Sequence, residues 1–122
     1  MQKILLVEDD PFLVTLLKAK FIREGFEILH AKDGQEAVDI LRKNKPDLIL
    51  LDIILPQKSG FEVLEEIRSD PHLRGVPVII ISNLGQTGDI TKGKELGVVE
   101  YFVKAKVSVD ELSNKVKEFL KK

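Results

Sequence analysis

Five short apolar runs, each followed by a longer segment of helical period, divide this chain from end to end, and that alternation restricts its fold more than any other property. The runs are KILLV (Lys3–Val7), EILHA (Glu27–Ala31), LILLD (Leu48–Asp52), VIIIS (Val78–Ser82) and EYFV (Glu100–Val103). The first, third and fourth are apolar at nearly every position, the composition of strands covered on both faces in a parallel sheet. The second and fifth carry more polar residues and suit the edges. Parallel strands must be joined by a crossover, and such crossovers are right-handed. The 122 residues therefore predict one domain, residues 1–122, of α/β class: a (βα)5 open five-stranded parallel sheet with helices on both faces.

A common strand order for such sheets is 2-1-3-4-5, the flavodoxin-like arrangement, with the ligand crevice where strands one and three diverge at their carboxyl ends. The helices carry their own boundaries. Asp10-Pro11 reads as an N-cap followed by proline at the first helical position, with Gly25 as the stop. Asp33 with Glu36, Ser59 with Glu62 and Ser108 with Glu111 have capping-box spacing. The last helix sets Leu112, Val116, Phe119 and Leu120 on one stripe, with Asp110 and Glu111 in its first turn and Lys121 and Lys122 at its end, matching the helix dipole. Between Gln86 and Gly97, Gly88, Thr91 and Gly93 each weaken helix propensity, so the fourth helix is expected to be the softest. The proline- and glycine-rich stretch Ser69–Pro77 reads as one loop.

Charge excludes several partners. Nineteen basic residues against 20 acidic ones give a net charge of −1, which leaves no basic excess for nucleic acid or anionic lipid. No apolar stretch approaches the ~18 residues of a membrane helix. The absence of cysteine rules out disulfides and thiolate chemistry and fits a reducing, cytoplasmic setting. His30 and His72 have no ligand partners at useful spacing and read as structural or surface residues.

The predicted topology gathers Glu8, Asp9 and Asp10 after strand one, Asp52 at the end of strand three, Ser82 at the end of strand four and Lys104 after strand five. Singly, each has an ordinary reading: Asp10 as a helix cap, Ser82 as a turn residue. Together, clustered carboxylates repel unless a cation neutralises them. Oxygen-only donors favour Mg2+, with Mn2+ as the alternative, over Zn2+; Mg2+ in turn brings phosphate oxygens to its open positions. A carboxylate only partly committed to metal can attack phosphorus, with Lys104 and Ser82 supplying a cation and a hydroxyl to its oxygens. Asp52 is the expected nucleophile.

These residues fall in motifs (VEDD, LLDIILPQKSG, IIIS and EYFVK) through which the chain resembles the response-regulator receiver domains of two-component signalling over essentially its whole length. The resemblance implies a phosphorylation-dependent switch rather than a turnover enzyme. It gives Asp9 and Asp10 as the acidic pair holding Mg2+, Asp52 as acceptor of a phosphoryl group from a sensor histidine kinase or histidine phosphotransfer protein, and the Ile54 carbonyl as a further metal ligand. It also gives Ser82 and Lys104 as phosphoryl partners, Tyr101 as a rotamer switch coupled to Ser82, and readout through helix four, strand five and helix five to a downstream protein. The chain ends with helix five, so it reads as a stand-alone receiver or a piece of a larger regulator.

Four positions depart from the family pattern. Ala105 replaces the usual proline after the lysine, which predicts a trans Lys104–Ala105 bond, since cis costs ~2.5–4 kcal/mol before a non-proline residue. Asn83 stands where a small residue is usual. Ile54 and Leu84 are apolar where many relatives are polar, which predicts slow loss of the phosphoryl group. A flavin-binding protein of this topology would need a Ser/Thr/Gly-rich loop where EDDPF stands, and an aspartyl phosphatase a second Asp where Ile54 stands. The remaining rival is a receiver-like interaction module that works without phosphorylation.

Overall fold

The computed structural model describes residues 1–83 and 87–120, apart from the side chain of Thr87. Leu84 and the terminal Lys121 and Lys122, which carry expectations above, lie outside the described residues. The elements follow in strict alternation: β1 (Lys3–Val7), α1 (Pro11–Arg23), β2 (Glu27–Ala31), α2 (Gly34–Leu41), β3 (Leu48–Leu51), α3 (Gly60–Ser69), β4 (Val78–Ser82), α4 (Thr87–Glu95), β5 (Glu100–Val103) and α5 (Val109–Leu120), with a 3-10 turn at Lys104–Lys106. All strand pairs are parallel and the order is β2-β1-β3-β4-β5, as the alternation predicts.

The pleat divides the core in two. Leu5, Val7, Ile49, Leu51, Val78 and Ile80 face α2 and α3. Ile4, Leu6, Leu48, Leu50, Ile79 and Ile81 face Val14, Leu17 and Phe21 of α1 and Leu112, Val116 and Leu120 of α5. Adjacent residues of one strand thus serve opposite cores, which is why β1, β3 and β4 have no polar alternation. The edge strands β2 and β5 are mostly half-buried.

The caps form where their spacing places them. Asp10 Oδ1 accepts from the amides of Phe12 (2.9 Å) and Leu13 (3.4 Å), and Gly25 sits just beyond α1 with φ of 94°. Ser59 with Glu62 and Ser108 with Glu111 make reciprocal bonds. Asp33 caps the Glu36 amide at 2.8 Å, but Glu36 returns to the amide of Lys32 at 3.0 Å instead of that of Asp33.

Two expectations need correction. Strand β3 ends at Leu51, so Asp52 is the first residue beyond it, although its amide still donates to the Val7 carbonyl at 3.0 Å. Phe119 is 41% exposed; the buried arc of α5 runs through Leu112, Ser113, Val116 and Leu120, which leaves Phe119 at its margin. The Lys104–Ala105 bond is trans, since no described bond is cis, and the chain passes through the 3-10 turn into α5.

Among the described residues, helix α4 is held mainly through its C-terminal half. Gly93 is its one buried position among the described residues, and a Cβ there would lie 3.1 Å from Ile80 Cδ1 and 3.3 Å from Tyr101 Cδ2. Lys92 Nζ sits 4.6 Å from the centre of the Phe61 ring on α3. Arg68 of α3 donates to the carbonyls of Leu96 (2.8 Å) and Gly97 (3.0 Å) beyond α4, and to those of Arg74 (2.7 Å) and Val76 (3.3 Å) before β4.

Candidate functional site

A parallel sheet delivers every strand's carboxyl end to one edge, and the polar residues lie there. Asp52 is 3% exposed. Its Oδ2 lies 2.9 Å from Lys104 Nζ and its Oδ1 accepts from the Ile54 amide at 3.2 Å. The same ammonium reaches Glu8, 3.0 Å from each carboxylate oxygen. Gly60 lets α3 start directly under this corner: a Cβ there would run into the Asp52 carbonyl oxygen and lie 2.6 Å from Ile53 Cα.

Glu8 is fully buried, an arrangement that costs energy for a charged carboxylate. Desolvation is the main reason its pKa is pushed up from 4.5 to about 7; the Asp10 amide works against that, the Asp52 charge adds to it, and Lys104 pulls it down. Burial pulls the Lys104 ammonium down, but the carboxylates of Asp52 and Glu8 outweigh it and the net displacement is upward. Glu8 Oε2 accepts from the Asp10 amide at 3.0 Å as well as from Lys104. Oε1, though 3.0 Å from the ammonium, accepts no hydrogen bond from it, because closeness here comes without alignment.

Glu8, Asp9 and Asp52 each bring a carboxylate oxygen within 4.8 Å of the others. Three hard oxygens, one of them buried and lacking a donor, are the chemistry of a Mg2+ or Mn2+ site, so the residues fit such an ion. The pair drawn from the sequence was Asp9 with Asp10. The structure instead converges Glu8 with Asp9 and Asp52, and directs Asp10 to the N-terminus of α1. Asp10 is exposed and its carboxylate accepts two helix amides. The Pro11 that follows it was the available signal, since a residue committed as N-cap has its oxygen turned to the helix.

Ser82 ends β4 fully buried, and Tyr101 on β5 engages it by a side-chain hydrogen bond. Burial, reinforced by the charge of Asp89 on α4 and then of Asp52, pushes the Tyr101 phenol up, while the bond to Ser82 pulls it down. Ile54 is 57% exposed beside Asp52, and Asn83 is exposed beyond Ser82. His30, read from sequence as a bystander, places Nε2 2.8 Å from the Glu8 main-chain carbonyl. A carbonyl only accepts, so Nε2 carries the proton.

A family model for the response regulator receiver domain matches residues 4–117. The chain is 37% identical over 120 residues to sporulation initiation phosphotransferase F of Bacillus subtilis, covering 98% of this chain and 94% of that one. It is 33% identical to a probable transcriptional regulator, ycf27 of Guillardia theta, but spans only 46% of that protein's length. Among solved structures, the receiver domain of the Francisella response regulator 1452 superimposes with a TM-score of 0.90 at 31% identity, covering 99% and 98% of the two chains. The receiver domain of sensor histidine kinase PA1611 from Pseudomonas aeruginosa, with a magnesium ion coordinated in its active site cleft, gives 0.88 at 30% identity and the same coverage. With a match running from β1 well into α5 and taking in each carboxylate of the strand-end cluster, this chain belongs to the response regulator receiver domain family.

Proposed function

We propose that the chain is a phosphoacceptor switch in which Asp52 takes a phosphoryl group from a phosphohistidine of a sensor histidine kinase or histidine phosphotransfer protein, in a Mg2+-dependent reaction. One observation carries this reading: a buried strand-end aspartate is paired with Lys104 at 2.9 Å and lies within 4.8 Å of two further carboxylates. Glu8, Asp9, Asp52 and the Ile54 carbonyl would hold the ion. Mg2+, or Mn2+ in its place, supplies charge neutralisation for the carboxylates and for the phosphoryl oxygens.

An Asp52 carboxylate oxygen attacks phosphorus, the P–N bond breaks, and the electron pair leaves with the donor imidazole. Lys104, which bridges Glu8 and Asp52, is within reach of a phosphoryl oxygen placed on Asp52. The Ser82 hydroxyl would turn to another, ending its present bond to Tyr101 and freeing the phenol. Because α4 packs on Tyr101 at Gly93, the event at Asp52 reaches the α4, β5 and α5 surface, where a downstream protein would read it. Phe12 and Leu16, one turn apart on α1, and Ile54 are exposed apolar side chains at the end of the molecule that holds Asp52, and offer the donor a contact.

Covalent chemistry on this reading is confined to the chain's own phosphorylation and dephosphorylation, in the cytoplasm. No described helix is long and apolar enough to cross a membrane. The test is intact-mass analysis after incubation with acetyl phosphate and Mg2+, beside Asp52→Asn and a metal-free control. One labile phosphoryl adduct, absent from both controls, is expected. No adduct on folded protein that binds Mg2+ would refute phosphoacceptor function and leave the phosphate-independent module.

A further inference from the structure

We infer that His30 is a positioning residue for the metal site, acting by holding the Glu8–Asp9 peptide through its hydrogen bond to the Glu8 carbonyl. The inference rests on Glu8 and Asp9 serving as metal ligands. Strand β1 is paired to β2 as far as Val7 opposite Ala31, and one further ladder bond follows, from the Glu8 amide to the Ala31 carbonyl at 3.0 Å. In a regular parallel ladder the Glu8 carbonyl would next accept from the amide of Asp33. That residue has left the strand and caps α2, where its carboxylate accepts from Glu36 at 2.8 Å. The half-buried His30 ring supplies the missing donor from the side, Nε2 to carbonyl oxygen at 2.8 Å.

The consequence falls on Asp9. The Glu8 carbonyl and the Asp9 amide share one rigid plane, so fixing the carbonyl fixes the direction in which the chain leaves Glu8 and hence where the Asp9 carboxylate stands. With the amide of Glu8 held by Ala31 and its carbonyl by His30, the residue is clamped on both sides by β2. Without His30 the plane is free to rotate, and the spacing of the Glu8, Asp9 and Asp52 oxygens within 4.8 Å loses its support. A hydrogen bond that merely satisfied a carbonyl would affect folding stability and leave Mg2+ affinity alone.

Three variants separate these roles. Glutamine carries an Nε2 donor at about the reach of the histidine Nε2, asparagine stops one atom short, and leucine has no donor. Mg2+ affinity is measured by calorimetry on His30→Gln, His30→Asn and His30→Leu, with the amide resonances of Asp9 and Asp10 followed in the metal-free proteins and folding stability measured in parallel. The expectation is loss of affinity on the order of tenfold in His30→Asn and His30→Leu, displaced Asp9 resonances in both, and His30→Gln within about twofold of the unsubstituted chain. Unchanged affinity in His30→Asn, or an equal loss in His30→Gln and His30→Asn, overturns the inference while leaving the metal reading intact. Failure of the unsubstituted chain to bind Mg2+ overturns the metal reading and this inference with it.

Discussion

Replacing Glu8 with glutamine removes a buried charge while keeping the side chain's shape, and its effect on stability has a definite sign. The folded-state pKa of Glu8 is raised from 4.5 to about 7, so between those values the native protein holds a proton that the unfolded chain has released. This group's contribution to stability is therefore fully present below about pH 4.5 and is lost as pH rises through about 7. At ~1.4 kcal/mol per pH unit the raised titration of Glu8 amounts to on the order of 3 kcal/mol, desolvation being its chief cause. Glutamine has no charge to desolvate at high pH, and its oxygen retains the bonds from Lys104 and the Asp10 amide; its NH2, in the place of Oε1 3.0 Å from the ammonium, gives back part of that gain. In chelator, urea denaturation should show Glu8→Gln about equal to the unsubstituted protein at pH 4.5 and more stable by a few kcal/mol at pH 8. Mg2+ should stabilise the unsubstituted protein more than the variant, and increasingly so as pH rises through about 7, because the Glu8 ligand must first lose its proton. Parallel pH profiles for the two proteins, or a Glu8→Gln variant less stable at pH 8, would refute the reasoning.

Tyr101 is the only tyrosine, so phenolate absorbance reads one group: it should titrate above its ordinary 10.0, higher still in Ser82→Ala and lower in Asp89→Asn. An unshifted Ser82→Ala titration would mean that the two side chains are not coupled. Gly60→Ala drives a methyl group into the Asp52 main chain and should cost ~1–3 kcal/mol by urea denaturation, with slower phosphorylation at Asp52; a variant of native stability would show that the corner relaxes freely. Ile54→Asn places an amide beside Asp52 where an exposed apolar side chain now stands, and should shorten the phosphoryl lifetime severalfold by helping to orient water. A lifetime unchanged in that variant would remove Ile54 as the cause of slow loss.

What could be read in the sequence was local or periodic. Strands β1, β3 and β4 announce themselves by unbroken apolar runs, and the Ser59–Glu62 and Ser108–Glu111 pairs by spacing alone. Asp52 and Lys104 meet because topology sends both to one sheet edge, which the alternation already implies. The identity of the third carboxylate was not legible that way. Choosing between Glu8 and Asp10 depends on how the backbone turns in the three residues between β1 and α1, a turn set partly by a histidine on another strand. His30 and Arg68 were missed for the same reason: both act by donating to main-chain carbonyls distant in sequence, and carbonyls carry no sequence signature.

Arg68 has a mechanical consequence for α4. Its bonds to the Leu96 and Gly97 carbonyls, with Lys92 on Phe61 and Gly93 against Tyr101, gather the helix's attachments toward one end. The six residues preceding Gly93, back to Thr87, make a lever about 9 Å long, so a tilt of about 10° carries its far end about 1.5 Å. A side-chain rearrangement of ångström size beneath the helix is then enough to change the shape of the outer surface without disturbing the sheet.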